Sequence, residues 1–276
     1  MRTVFAIVMF AGVIAVEAAP RNEPVVADVK GPVEVWSGAT KFSAGGYNVN
    51  LMPSRANVMP TITFAGRSFT FAYTTSGWLL DGDRRIRFRS DPTNRLAALT
   101  KVAEGVKAEY VHSLYVGRDS DRRFAGVCSN EIVFADGVAK VRATLYPAEP
   151  GRYRFHASHR ASQVIVFADY AKKWVGTTLH MFSSRERMFM NELTPHAMFD
   201  PKAWGMGASD TGYVREMVFG NVPGVVHFVD TGDAGFNANR YPGGFEANAV
   251  FLNGDVMHKP AWNGPVVFSY VVKMEK

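Results

Sequence analysis

Residues 132–146 have the sequence IVFADGVAKVRATLY, and this stretch decides the fold class. Within it, Val141, Ala143 and Leu145 alternate with charged or polar residues, so one face of an extended strand would be buried and the other solvated. Asp136-Gly137 separates this run from the preceding apolar residues 132–134. Asp-Gly between two such runs is a strong hairpin signal, because it tolerates the positive φ angles of a tight turn. The stretch therefore predicts an antiparallel β-hairpin.

The same pattern recurs along most of the chain, while helical periodicity is rare. Asp81-Gly82 and Asn253-Gly254 also lie between apolar runs and predict two further hairpins. Alternation predicts additional strands at 61–65, 68–74, 109–116, 163–168, 174–182, 213–219, 225–229, 245–252 and 266–273. A dozen or more strands must close into a barrel or stack as two sheets, because one open sheet would leave long unpaired edges. We predict an all-β fold, a large antiparallel two-sheet β-sandwich.

One segment, residues 92–105, fits two structures. Ser90-Asp91-Pro92 resembles a helix N-cap followed by proline, and Leu96 and Leu99 have helical spacing. Alternatively, residues 95–103 pair with residues 106–116 as another hairpin. Because the run is short, periodicity does not decide between them.

The amino terminus predicts secretion. Met1-Arg2-Thr3 precedes an apolar run over residues 4–16, and the small residues Val16 and Ala18 suit signal-peptide cleavage after Ala18. Thirteen apolar residues are fewer than the roughly 20 that span a bilayer, so we expect no membrane association after cleavage. The mature chain is predicted to form a single domain over residues 25–276.

Composition favours a bacterial periplasmic or secreted protein. The chain of 276 residues has one cysteine and no Asn-x-Ser/Thr acceptor site, unlike many secreted eukaryotic proteins. Its formal net charge is +6, yet the Lys and Arg residues are spread out and no nucleic-acid motif is present. We therefore predict a carbohydrate partner, neutral or anionic, and no nucleic acid.

Three stretches resemble those of a known family. They are TITFAGRSF at residues 61–69, GFEAN at 244–248 and WNGPVVFSY at 262–270. In their order and spacing they resemble the galactose mutarotase-like supersandwich, although the family's paired Asn-His and His-Gly sequences are absent. The resemblance implies two broad sheets, the concave one holding a sugar.

Polar residues in the middle of predicted strands are the candidate catalytic groups. His112, His180 and Glu246 follow the chain order of the acid, substrate-binding and base residues that the resemblance implies. A carboxylate can take the proton of an anomeric hydroxyl while an imidazole protonates the ring oxygen, which opens the sugar ring. Each histidine could instead be a structural residue satisfied by a neighbouring strand.

Aromatic and amide side chains are the candidate sugar-binding groups. A flat ring suits the C–H faces of a sugar, and Trp78, Trp174, Trp204 and Trp262 are available. Trp204 lies in a Gly-rich excursion over residues 183–212, a loop length that often lines a binding site. Trp204, Trp174 and Asn248 are the predicted substrate-binding residues.

Two alternative functions remain open. A polysaccharide lyase would neutralise a uronate carboxylate with Arg or Lys, and the sequence RRIRFR at residues 84–89 fits that role. Arg85, Arg87 and Arg89 could equally be the solvated face of a strand. The other alternative is a non-catalytic glycan-binding or envelope module. The sequence lacks a zinc helix, a phosphate loop and a nucleophile elbow, so neither metal nor cofactor is predicted.

Overall fold

A computed structural model describes twelve stretches of the chain. They are residues 40–53, 58–72, 74–90, 95–117, 121–156, 161–183, 188–193, 214–220, 224–231, 234–241, 244–251 and 260–276. Within them lie nineteen strands: β1 (Thr40–Ala44), β2 (Tyr47–Pro53), β3 (Val58–Phe64), β4 (Arg67–Thr70), β5 (Thr75–Asp81), β6 (Arg84–Ser90), β7 (Arg95–Val102), β8 (Gly105–Val116), β9 (Arg123–Ala135), β10 (Val138–Pro147), β11 (Arg154–Phe155), β12 (Ala161–Phe167), β13 (Thr178–Ser183), β14 (Met188–Glu192), β15 (Val214–Gly220), β16 (Val225–Asp230), β17 (Ala234–Tyr241), β18 (Gly244–Phe251) and β19 (Val266–Glu275). The same residues contain one helix, α1 (Tyr170–Lys173). The all-β prediction is confirmed.

The strand pairings form a closed ring. Following them in order gives β5-β6-β8-β9-β10-β19-β16-β15-β17-β18-β12 and then β5 again, eleven antiparallel strands in the described residues. We call this circuit the ring. The predicted two-sheet sandwich is therefore corrected. The physical reason is that β12 pairs along both edges, with β18 on one side and with β4 and β5 on the other, so the strands are not divided between two separate sheets.

Local hairpins largely match the sequence prediction. β9 and β10 pair around Asp136-Gly137, and β3 and β4 join through Ala65-Gly66, whose φ angles of 49° and 73° are those of a primed turn. The Asp81 hairpin is present, with its two-residue loop shifted by one position to 82–83. The Asn253-Gly254 turn lies outside the described residues.

Residues 95–105 of the ambiguous segment belong to a hairpin and not to a helix, and residues 92–94 lie outside the described residues. β7 pairs with β8, from Arg95 opposite Val111 to Val102 opposite Gly105. Burial decides the outcome, since β8 alternates strictly between half-buried and buried positions over its twelve residues. Leu96 and Leu99 are three residues apart, a spacing that is typical of a helix. In β7 this spacing includes a register shift between Leu96 and Ala98.

The strand predicted at 174–182 begins later than expected. Helix α1 precedes it, Trp174 caps the helix, and the strand starts at Thr178. Within the excursion predicted at 183–212, the structure describes Ser183, β14 and Leu193. None of the described helical residues forms a segment of the length and apolarity that crossing a membrane requires.

Candidate functional site

His112 lies inside the ring. Its side chain is 1% exposed, and its Nε2 is 2.6 Å from the Thr75 hydroxyl oxygen on β5. Burial lowers the pKa of the imidazole to about 3, because a charged imidazolium would lose its hydration there. His112 is therefore neutral at pH 7 and enclosed by the core.

His112 belongs to a cluster of buried polar side chains contributed by four strands. The amide nitrogen of Gln163 lies 3.3 Å from the Thr75 hydroxyl and also donates to the Asn130 side-chain oxygen. The Cys128 thiol lies 3.5 Å from the Thr75 hydroxyl and 3.8 Å from the Asn130 oxygen. These contacts offset much of the desolvation that burying five polar groups costs. The contacts connect β5, β8, β9 and β12 across the ring interior.

His180 lies on the other face of the same sheet. Directly paired residues share a face, so faces can be followed from strand to strand through the registers. The face of the sheet that carries His112 can be followed through β9, β10, β19 and β16 to Met217 of β15. Met217 pairs directly with Met181 of β13, so Met181 lies on the same face as His112. His180 is adjacent to Met181 and therefore points outward, where it is half-buried beside Val218. The structure does not bring the two histidines together.

The third candidate catalytic residue, Glu246, is located by its backbone only. It pairs with Val166 of β12 and Asn239 of β17, and its side chain lies outside the described part of the structure. Trp204 also lies outside the described residues. The roles assigned to these two residues stay predictions.

The two remaining candidates for sugar binding are buried. Asn248 on β18 is 5% exposed. Trp174 has no exposed surface. Its side chain packs edge-on against Phe167, with 4.7 Å between ring centroids, and its indole nitrogen donates to the Ala168 carbonyl at 3.2 Å. Burial of the whole ring among aromatic neighbours gives Trp174 the contacts of a core residue.

The described surface carries a groove of about 1030 Å³ in a different place. It lies on the outer face where β5 and β6 meet the connection between β8 and β9. Its lining consists of Trp78, Arg84, Arg85, Ile86, Arg87, Arg89, Gly117, Asp121, Arg122 and Arg123. Six of these ten residues are arginines, so the groove is strongly basic.

Strand β6 supplies most of this charge. Arg85, Arg87 and Arg89 are exposed, while Ile86 and Phe88 between them are buried, which is the alternation that the sequence indicated. Arg87 and Arg89 are both exposed and both line the groove. Their guanidinium groups therefore present donors to the solvent-filled groove.

Acidic residues neutralise only part of the groove. Arg123 pairs with Asp81 at 3.3 Å, and Asp121 is the acidic residue among the described lining residues. A concave surface lined by one sign of charge concentrates its field and raises the local concentration of counter-ions. The groove is thus suited to an anionic ligand.

Two of the groove arginines are stacked on aromatic rings. The Arg85 guanidinium carbon lies 3.9 Å from the Trp78 ring centroid, and that of Arg122 lies 3.8 Å from the Tyr115 centroid. Tyr115 in turn packs edge-on against Phe124 at 5.7 Å between ring centroids. Stacking fixes the plane of each guanidinium against an aromatic ring.

Gly117 shapes the groove wall next to Arg122. Its φ is 89°, and a Cβ at this position would lie 2.5 Å from the Asp121 carbonyl oxygen. Only glycine permits both the left-handed backbone and this close approach. Gly117 can therefore lie close to the Asp121 carbonyl, next to Arg122 in the groove wall.

Sequence reasoning identified half of this site. The RRIRFR run indicates the basic strand β6. Tyr115, Arg122 and Arg123 lie about 30 residues further on and carry no local pattern that links them to β6. The link is the pairing of β6 with β8, which places Arg89 opposite Tyr115.

Comparisons with known proteins support the fold at a coarse level. No family model matches the chain, and no curated protein matches it. Among solved structures, the chain is similar to the alpha-N-acetylgalactosaminidase NagBb from Bifidobacterium bifidum, solved as a GalNAc complex, with a TM-score of 0.50 and 11% identity. The likeness covers 85% of this chain and 36% of that protein, so this chain spans about a third of its length. That neighbour is a glycosidase with a β-rich fold.

Proposed function

We propose that this protein binds an anionic carbohydrate chain in its basic groove, in the periplasm or outside the cell. The observation that carries the proposal is the outward-facing groove of about 1030 Å³ with six arginines in its lining. The distant structural likeness to a carbohydrate-active glycosidase supports a carbohydrate-related role at a coarse level. The predicted signal peptide also supports the proposal, because such polymers occur in the periplasm and outside the cell.

Arginine suits this ligand better than a simple cation would. A guanidinium presents parallel N–H donors that match the two oxygens of a carboxylate or sulfate, so recognition includes shape as well as charge. Arg87 and Arg89 project from one face of β6, and Arg85 is held beside them on the Trp78 ring. A polymer with acidic groups along its length can engage several of them at once.

Binding, and not turnover, is the role that the described lining supports best. The lining provides cationic donors and an indole ring, which recognise and orient an acidic sugar. The same arginines would neutralise a uronate carboxylate in a lyase, whose products absorb ultraviolet light through a new double bond. Incubating the protein with a polyuronate and recording ultraviolet absorbance separates the two functions: stable absorbance supports the binder, and a steady rise supports the lyase.

Calorimetric titration tests the binding proposal. The ligands are a polyuronate, a sulfated polysaccharide and a neutral polysaccharide of similar length, each at low and high salt. We expect the acidic polymers to bind, the neutral one not to bind, and affinity to fall with salt as screening grows. Equal binding of the neutral polymer, or binding of neither acidic polymer, would contradict the proposal.

A matched pair of variants locates the ligand. Arg87→Gln removes one exposed arginine of the groove, and Arg142→Gln removes an exposed arginine from the middle of β10, outside the groove lining. Both variants lose one charge. We expect Arg87→Gln to weaken binding about three- to tenfold, which corresponds to the roughly 0.7–1.4 kcal/mol of one ordinary hydrogen bond, and Arg142→Gln to leave it unchanged. Equal effects of the two would show that only net charge matters.

A further inference from the structure

We infer that the ligand lies along β6 as an extended chain, with neighbouring acidic groups held by neighbouring members of a row of three arginines. The row consists of Arg85, Arg87 and Arg89, and we call it the arginine row. The inference rests on the proposed function and adds to it the orientation of the ligand and its minimum length. The ligand class is a linear acidic glycan with at least three acidic groups, because a single acidic sugar would occupy only one member of the row.

The arginine row is evenly spaced on one face of β6. Its members are exposed and line the groove, while Ile86 and Phe88 between them are buried. Residues two positions apart on a strand share a face and lie about 6.6 Å from one another. From Arg85 to Arg89 the row therefore extends over roughly 13 Å. A linear polyanion can follow it with successive acidic groups at successive arginines.

The residues directly opposite the arginine row on the neighbouring strands are uncharged. They are Leu80, Trp78 and Ser76 of β5 and Tyr115 of β8. A ligand that crosses the strands would therefore meet the arginines of the row singly, whereas a ligand that lies along β6 meets all three. Charge complementarity favours the second orientation.

The backbone that carries the arginine row is held along both edges and from its inner side. β6 pairs with β5 over residues 84–89 and with β8 over residues 88–90. Phe88 is fully buried, with 6.3 Å between the centroids of its ring and that of Trp262. The Ser90 hydroxyl accepts a hydrogen bond from the Thr75 backbone nitrogen at 3.1 Å. Because a supported backbone keeps the spacing of the row constant, the row is suited to a ligand whose charges are regularly spaced.

The test combines a ligand length series with single substitutions in the arginine row. Galacturonate and its oligomers up to the hexamer are titrated calorimetrically against the wild type, Arg85→Gln, Arg87→Gln and Arg89→Gln. Each variant loses one exposed positive charge. Arg142→Gln is the control for net charge, because Arg142 is exposed outside the groove lining. Circular dichroism confirms that each variant is folded.

The dimer distinguishes the three positions. A dimer held by two neighbouring arginines has two alternative places on the row, and Arg87 belongs to both. We expect Arg87→Gln to weaken dimer binding about tenfold, and Arg85→Gln and Arg89→Gln only about twofold, because one of the two places remains. For the hexamer, all three variants should bind about three- to tenfold more weakly, while Arg142→Gln binds every oligomer as the wild type does. Wild-type affinity should rise steeply up to the trimer, which fills the row, and more gradually beyond it.

Two results would overturn the inference while leaving the proposed function intact. They are equal losses of dimer affinity in all three row variants, and a wild-type affinity that rises only in proportion to the number of acidic groups. Absence of binding by every acidic oligomer would contradict the proposed function itself. Tighter binding of a single-stranded oligonucleotide with the same number of charges would overturn the assignment of the ligand to carbohydrate.

Discussion

The buried imidazole of His112 makes a specific prediction about acid stability. The side chain is enclosed in the ring interior, and its pKa is lowered from 6.5 to about 3 by loss of hydration. Between these two pH values the unfolded chain binds a proton at this site and the folded chain does not. Protonation at this site therefore leaves the free energy of unfolding unchanged above pH 6.5 and lowers it progressively as the pH falls toward 3.

The magnitude follows from the size of the pKa shift. One pH unit corresponds to about 1.36 kcal/mol, so a shift of about 3.5 units gives a maximum of about 5 kcal/mol. At pH 4.5, two units below the unfolded pKa, the loss is about 3 kcal/mol. Typical free energies of unfolding are about 5–15 kcal/mol, so this single group should account for a substantial part of acid destabilisation.

Urea denaturation at pH 7.5 and pH 4.5 measures this contribution. We compare the wild type with His112→Gln, in which an uncharged amide replaces the imidazole beside the Thr75 hydroxyl. His112→Gln should cost about 1–3 kcal/mol at pH 7.5, because the buried partners lose part of their hydrogen bonding.

The decisive quantity is the change in unfolding free energy between the two pH values. It should be smaller by about 3 kcal/mol in His112→Gln than in the wild type. Carboxylates that titrate in the same range contribute equally to both proteins and cancel. Parallel pH dependences of the wild type and His112→Gln would refute the argument from burial.

Four further predictions concern other parts of the chain. Burial raises the pKa of the Cys128 thiol to about 12, so iodoacetamide at pH 8 should label it only after unfolding, as mass spectrometry can show; rapid native labelling would contradict this. Trp262 is fully buried between two aromatic rings, and Trp262→Ala should lower the free energy of unfolding by about 3–5 kcal/mol in urea, with Trp262→Phe costing less. Gly117→Ala should weaken polyuronate binding in calorimetry, because its Cβ would clash with the Asp121 carbonyl and displace the groove wall; unchanged affinity would dissociate this turn from the site. The secreted form should begin at Ala19, and an intact mass that includes residues 1–18 would refute processing.

The candidate site shows where sequence reasoning ends. The alternation of Arg85, Arg87 and Arg89 is a property of neighbouring residues, and the structure bears out its exposed face. The groove also needs Arg122 and Tyr115, which reach β6 only because β8 pairs with it. The chain order of His112 and His180 also predicts a shared site. The strand registers followed from β8 to β13 place the two side chains on opposite faces of the sheet.

The sequence by itself indicated many of the strands, several of their hairpins and the buried side of strands such as β6 and β10, because a period of two and a turn residue act within a few residues. Only the tertiary structure decided that eleven strands close into a ring, that His112 is sealed inside it, and that two distant segments build one basic groove. The physical reason is that pairing between distant strands depends on registers summed around the whole sheet. A shift of one residue at any pairing reverses the face of every later side chain.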